Sequence, residues 1–308
     1  MSDLKLNGIT PDGVGKIKLG SSDVQKIYSA STLVWPPSTP PEPCSYTFAS
    51  KAELQTAVNL WISNESQAIA IYGQINTWCT GDITDMSYLF YNKPTFNDNI
   101  SNWDVSGVTN MTYMFSYASS FNQDISSWDV SSVTNMEGMF IFGLFNQNIS
   151  SWNVGNVTNM NGMFQYASSF NQPLNAWDVS SVTNMASMFQ FASVFNQNLN
   201  SWDVSNVTFI GVIFDGASAF DGDISAWDVS NVTSMNGAFS DAFAFNIDIS
   251  SWNVANVTDM KNMFANASSF NQNLSSWCVT NITLEPSNFS PGSALTPANK
   301  PIWGTCPP

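Results

Sequence analysis

Nine tryptophans (Trp78, Trp103, Trp128, Trp152, Trp177, Trp202, Trp227, Trp252 and Trp277) follow one another at intervals of 25 residues, with a single interval of 24. The short interval has a local cause: Phe140 to Phe145 is five residues, where Phe115 to Phe121 is six. One loop residue is missing and the register then resumes. A unit of this size cannot bury an indole by itself, so each must be completed by its neighbours. A fully buried indole removes up to ~250 Å² from water, about 6 kcal/mol as an upper bound.

Residues 121–140 show one unit. Ile125, Trp128 and Val130 have the L-x-x-L-x-L spacing of a leucine-rich-repeat strand, with Trp128 and Val130 on one face. Val133, Met136, Met139 and Phe140 follow at helical spacing. Ser131, Ser132 and Thr134 stand where a helix start would be capped. The helix would be about two turns long and often contains glycine (Gly138, Gly162, Gly211, Gly237), so it depends on packing against adjacent units. The expected fold class is therefore an α/β repeat solenoid, leucine-rich-repeat-like, with about eight turns of parallel strand plus short helix. Asn97, Asn122, Asn146, Asn171, Asn196, Asn246 and Asn271 follow the loop phenylalanine, with Asp221 as the exception. They predict a ladder of amides bonding the backbone of successive turns.

The ends differ from the middle. Residues 46–77 form the expected N-terminal helical cap, with Ser50 as N-cap and Leu54, Ala57, Val58 and Trp61 on one face. The solenoid is assigned to 78–283. Residues 284–308 lose the repeat, become rich in Pro and Ser, and read as a C-terminal cap. The four cysteines lie at these ends. Cys44–Cys79 and Cys278–Cys306 are the expected pairings, because Cys79 and Cys278 are eight turns apart, ~40 Å at strand spacing. Zinc is the alternative, without CxxC or histidine to support it.

Composition narrows function. The net charge is -15, with eight lysines and no arginine, which argues against nucleic acid. Residues 1–37 hold four lysines against three aspartates, whereas the rest holds four lysines against 20 acidic residues. That asymmetry suggests two parts with different partners. No apolar run is long enough for a membrane helix, and no signal peptide is visible at the start. Without histidine there is no imidazole base or histidine metal ligand. The absence of a P-loop or dinucleotide turn likewise fits a protein that is not an enzyme.

Three features are candidates for function. The residue after each repeat tryptophan forms a column, Asp104, Asp129, Asn153, Asp178, Asp203, Asp228 and Asn253. Stacked carboxylates repel one another, so Ca²⁺ could bridge them; local hydrogen bonds are the simpler expectation. Tyr117, Phe142, Tyr166 and Phe191 form an aromatic column that ends at Gly216, Asp241 and Asn266. Its confinement to one half makes it the candidate binding face, against simple packing over the loops. Phe209 and Val212 stand where other turns are polar or small, reading as a drifted repeat or an outward apolar spot.

The run Trp-Asp-Val-Ser-Asn-Val-Thr-x-Met, with Met-Phe and Ser-Phe-Asn-Gln, resembles the BspA-like leucine-rich-repeat surface proteins of bacteria. It covers about residues 46–306, including the closing Lys300-Pro301-Ile302-Trp303-Gly304-Thr305-Cys306. This resemblance implies adhesion or host-protein binding, with no fixed binding residues. Residues 1–35, with Leu4-Lys5-Leu6-Asn7-Gly8 and later short Gly-separated apolar runs, resemble small β-rich modules of phage virion proteins. Pro36 to Pro43 then reads as a stiff linker, within 36–45. The expected function is a virion-attached display or adhesion protein, a phage fibre or capsid decoration. Residues 1–35 would bind virion proteins, and the solenoid would bind a host surface protein or glycan. The expected location is the virion exterior, with a homo-oligomer in the assembly, no nucleic acid and no membrane insertion. The alternative is an extracellular BspA-like adhesin on a bacterial surface. No cofactor is expected beyond that possible Ca²⁺.

Overall fold

A computed structural model describes residues 44–308 in full and, before them, only the backbone of four short strands. The chain divides into two compact units, 1–44 and 45–308. In the first, β1 (Ile17–Leu19) pairs antiparallel with β2 (Ser22–Val24), and β3 (Ile27–Ser29) with β4 (Thr32–Trp35). The run around Leu4 and the Pro-rich linker at 36–43 lie outside the described residues.

The second unit opens with β5 (Tyr46–Thr47), α1 (Lys51–Ser63) and α2 (Glu65–Tyr72). The Ser50 hydroxyl accepts from the Glu53 N–H, while the Glu53 carboxylate accepts from the Ala49 N–H at 2.8 Å. This reciprocal arrangement satisfies donors that a helix start leaves free. Asn64 ends α1 and caps α2 through the Gln67 N–H. Leu54, Ala57, Val58 and Trp61 are buried, and Trp61 meets Trp78 edge-on at 5.9 Å. Thus α1 covers the first indole of the array. β5 also pairs in parallel with β6 (Trp78–Cys79).

From Thr80 to Thr296 the chain has neither helix nor extended strand. Single-residue parallel bridges link Asp85, Asn110, Asn135, Asn159, Asn184, Phe209, Ser234 and Asp259 in succession. In one coil, the N–H groups of Met111, Tyr113, Phe115 and Tyr117 donate to carbonyls of the next coil at 2.8–2.9 Å. The intervening N–H groups of Met114, Ser116 and Ala118 donate three residues back, at 2.9–3.2 Å. Alternate donors therefore close local turns and tie coils together. Among the described residues this is a repeat protein with few helices and strands and no closed barrel.

This corrects the expected strand-plus-helix turn. A helix would require every interior N–H to stay within its own segment. Here half of them leave, and residues such as Tyr113 and Tyr117 take φ near +55°, which interrupts a right-handed helix. The three-residue spacing of Val133, Met136 and Met139 marks successive turns, each returning one side chain to the core. The Trp128 and Val130 alternation is real, since both are buried around exposed Asp129. No extended ladder accompanies it, because the Trp128 and Val133 N–H groups close turns onto Ile125 and Val130. Ser131 and Thr134 likewise do not cap a helix: the Ser131 N–H bonds Asp129, and the Thr134 N–H bonds the Thr109 carbonyl.

The core consists of stacked columns. Phe90, Phe115, Phe140, Phe164, Phe189, Phe214, Phe239 and Phe264 stack at 5.2–5.8 Å with planes within 17°. A second phenylalanine column runs from Phe96 to Phe270 beside it. The indoles form the third, with Trp202, Trp227 and Trp252 spaced at 6.2 Å. Each indole N–H from Trp103 to Trp277 also donates to a carbonyl one coil back, such as Trp202 to Leu174 at 2.9 Å. The residue missing between Phe140 and Phe145 is absorbed outside these columns, since Phe145 still stacks on Phe121 at 6.0 Å.

The asparagine ladder is present. Each Oδ1 accepts the N–H of its counterpart one coil on, from Asn97 to Asn122 through to Asn271, whose partner is the Thr296 N–H. The ladder thus continues where the sequence repeat fades. Carbonyls of Ser287, Phe289 and Pro291 accept from Asn262, Phe264 and Asn266, so residues 284–308 add a further coil in altered residues. Cys278 and Cys306 are joined there, with Cα atoms 4.0 Å apart. No cysteine among the described residues is free.

Phe209 marks the weakest rung. Its counterparts Asn184 and Asp259 accept the N–H two residues on through Oδ1, which a phenyl ring cannot do. Around it, the Thr208-to-Thr183 and Ile210-to-Ser234 bonds lengthen to 3.4 Å. Phe209→Asn should restore the turn acceptor and raise unfolding free energy by about 1 kcal/mol, read by urea denaturation. A loss of stability would contradict this account of the rung.

Candidate binding surface

Each coil is cornered by side chains that accept from the backbone two residues ahead. Asp104, Asp129, Asp178, Asp203 and Asp228 all do so through Oδ1, at 3.0–3.1 Å, to the N–H of Ser106, Ser131, Ser180, Ser205 and Ser230. Asn153 and Asn253 make the same bond at 3.2 and 3.3 Å. The candidate cation column is therefore built from turn acceptors that asparagine replaces. Among the described residues, no three His, Cys, Asp or Glu side chains gather as a metal cluster.

The hydroxyl and N–H of the serine two residues on hold the carboxyls of Asp129, Asp178 and Asp228 below the ordinary aspartate range. A depressed folded-state value means stability present above the unfolded value, about 3.9, and lost as pH falls further. Wild type and the triple variant Asp129→Asn, Asp178→Asn, Asp228→Asn should have similar melting midpoints at pH 7. Below about pH 4 wild type should lose more, because asparagine keeps the acceptor without titrating. Parallel pH profiles would contradict this role.

The aromatic column occupies unusual backbone. Two positions in every coil, four residues apart, have φ between +50° and +72°. One runs Tyr88, Tyr113, Gly138, Gly162, Ser187, Val212, Gly237, Asn262 and Asn288; the other Asn92, Tyr117, Phe142, Tyr166, Phe191, Gly216, Asp241, Asn266 and Gly292. Glycine, asparagine and aspartate suit the left-handed region, whereas bulky side chains there are strained. The first half of the array carries six such rings.

These rings stack. Tyr117, Phe142, Tyr166 and Phe191 follow at 4.7, 4.1 and 4.7 Å, with planes within 19°. The stack ends on Gly216, where a Cβ would lie 2.3 Å from the Phe191 ring. Tyr88 and Tyr113 form a parallel stack at 5.2 Å, ending on Gly138 in the same way. The Tyr113 hydroxyl donates to Glu137 at 3.1 Å. Burial, then Glu137, pushes the Tyr113 phenol up to about 12, so it remains a neutral donor. Tyr91 stands edge-on to both Tyr88 and Tyr117.

Between the two stacks lies a cleft of about 330 Å³. Sequence reasoning found one wall, Tyr117 and Phe142, but missed Tyr88, Tyr91 and Tyr113. The missed signal was positional: Tyr88 and Tyr113 fall 25 residues apart, in line with Gly138. Tyr166 and Phe191 extend the strip beyond the cleft, and Phe209 stands apart from it as an exposed ring over Gly211. A polar run replaces the aromatics further along, where Gln190 donates to Asp215 at 2.8 Å. Burial raises the Asp215 carboxyl above its ordinary value.

Fold and surface together define a repeat protein that stacks its core in columns and turns ordered rows of side chains outward. The chain belongs to the family described as "Mycoplasma protein of unknown function, DUF285", whose sequence profile matches three tandem segments, 61–143, 142–212 and 199–299. That membership is consistent with a BspA-like repeat protein. No curated protein and no solved structure matches the chain.

Proposed function

We propose that the chain is a non-enzymatic display protein, a solenoid carried on the exterior of a virion through residues 1–35 and binding a host surface protein or glycan. The observation that carries this reading is the set of six bulky rings in left-handed backbone, from Tyr88 to Phe191. Strain of this kind costs about 1–3 kcal/mol per residue, and glycine or asparagine serves the fold at the same positions. Rings kept against that cost, four of them exposed, support a contact role. The positive balance of residues 1–37 and the acidic balance of the rest support separate partners for the two units. A homo-oligomer in the assembly and the absence of any cofactor belong to the same reading.

Family membership and the disulfides favour a second reading, a BspA-like adhesin on a bacterial surface, because disulfides persist in oxidising surroundings. Mass spectrometry of purified phage particles and of washed cell envelopes from the same culture separates the two. Recovery in particles, lost on deletion of residues 1–35 while residues 45–308 stay folded, is the expected result. Recovery in the envelope alone would replace the first reading with the second.

A further inference from the structure

We propose that the cleft between the two tyrosine stacks seats a neutral sugar unit, so that the surface recognises an uncharged glycan. This rests on the surface-binding reading above and names its ligand class. Tyr88 and Tyr113 form one wall, Tyr117 and Phe142 the other, with Ser116 and Ile141 between them and Gln165 also lining the space. Its volume stands at the lower end of small-molecule sites, about 300–1,000 Å³. That is room for a sugar ring rather than for a helix.

Three features select the ligand. The ring faces within each stack are turned toward one another, with planes 19° and 26° apart in the two walls. The four stacked rings therefore turn edges to the cleft, and edges carry the positive part of the aromatic quadrupole. Edges favour hydroxyl oxygens and disfavour a quaternary ammonium, whose recognition needs open faces. Charge gives the second argument. No lysine lines the cleft, Glu137 holds the Tyr113 hydroxyl beside it, and the chain carries -15 overall. An acidic sugar would approach against that field.

The third feature is an unmet hydrogen bond. Ser116 is fully buried, lines the cleft, and its Oγ has no partner. A buried hydroxyl in that state calls for an explanation. A ligand hydroxyl arriving as the exposed Tyr91 ring shifts would supply the missing partner. The Gln165 amide, whose Nε2 is committed to Gln190, leaves its oxygen as an acceptor for the same ligand.

The test applies the full chain to a printed array of neutral and acidic oligosaccharides, choline and a lysine-rich peptide. The best neutral glycan is then titrated in solution by saturation-transfer NMR. Binding confined to neutral glycans is expected. Tyr91→Ala and Tyr117→Ala should each weaken it roughly tenfold with little change in melting midpoint, because both rings are exposed. Phe209→Ala, an exposed ring apart from the strip, should leave affinity unchanged. Ser116→Ala should weaken binding while raising the midpoint, a pair of effects that a purely structural serine would not give. An array blank for every neutral glycan, or tighter capture of choline, acidic sugars or the peptide, overturns the assignment. If the chain still adheres to whole cells after such a failure, surface binding stands and only the ligand class falls. Loss of both removes both.

Discussion

Replacing Trp202 by alanine is expected to lower the unfolding free energy by about 4 kcal/mol, the usual range for a buried aromatic being roughly 3–5 kcal/mol. The indole is 3% exposed, stacks on Trp227 at 6.2 Å, and donates its N–H to the Leu174 carbonyl at 2.9 Å. Removing it takes away apolar contact on both sides and one of the two donors to the Leu174 carbonyl, which keeps the Trp177 N–H at 3.0 Å. Trp202→Phe separates these effects: it keeps a ring in the column and removes only the indole hydrogen bond, for a loss of about 1 kcal/mol. Coils contact only their neighbours, so the alanine variant should also broaden the transition as the array uncouples near its middle. Urea denaturation followed by far-UV circular dichroism gives midpoint and slope together. Equal losses for the alanine and phenylalanine variants would mean that stacking contributes little.

Gly222→Ala should be about as damaging, by the opposite mechanism. A Cβ at this position would lie 2.1 Å from the Gln197 carbonyl oxygen, a backbone atom that no rotamer change can move. In most coils a glutamine fills this place and reaches back to the asparagine ladder, as Gln197 does to Asn171. Without a side chain, the Asp221–Asp223 segment settles onto the preceding coil, and the Leu199 N–H gains the Asp223 carbonyl at 3.0 Å. Added bulk must push the two coils apart, costing at least about 3 kcal/mol. The measurable outcome is a fall in melting midpoint together with faster exchange of the Leu199 amide. An alanine variant as stable as wild type would show that the close approach is not needed.

The sequence made the repeat length and its single deletion, the cap helix with Ser50, the amide ladder and the Cys278–Cys306 bond legible. Each of these is written as a recurring residue type or a local capping rule. Secondary structure within the coil was misread for a physical reason. Val133, Met136 and Met139 fit helical spacing and three-residue turns equally, and only the direction of the N–H groups distinguishes them. That direction depends on the neighbouring coil. The closing coil was hidden because Ser287, Phe289 and Pro291 contribute carbonyls, for which almost any residue serves.

The candidate surface was half legible. The column from Tyr117 to Phe191 showed in the alignment of repeats, but its left-handed backbone did not. Gly138, Gly162 and Gly237, read as weak points of a helix, stand in line with Tyr88 and Tyr113 at positions whose φ is positive throughout. Tyr91 and Ser116 carry no repeat signature; they matter only because the stacks on either side make a cleft of the space between them. Asp104 and its column were visible as a row of charge, while their use as turn acceptors required the backbone geometry.

Hydrogen exchange at the indole nitrogens, resolved by NMR on the full chain, tests the stacked column most directly. The account predicts that the indole protons from Trp128 to Trp252 are protected as strongly as the backbone amides of Phe164 or Phe189, since each is buried and bonded one coil back. Exchange of those protons at the rate of a free indole, with the phenylalanine amides still protected, would contradict it.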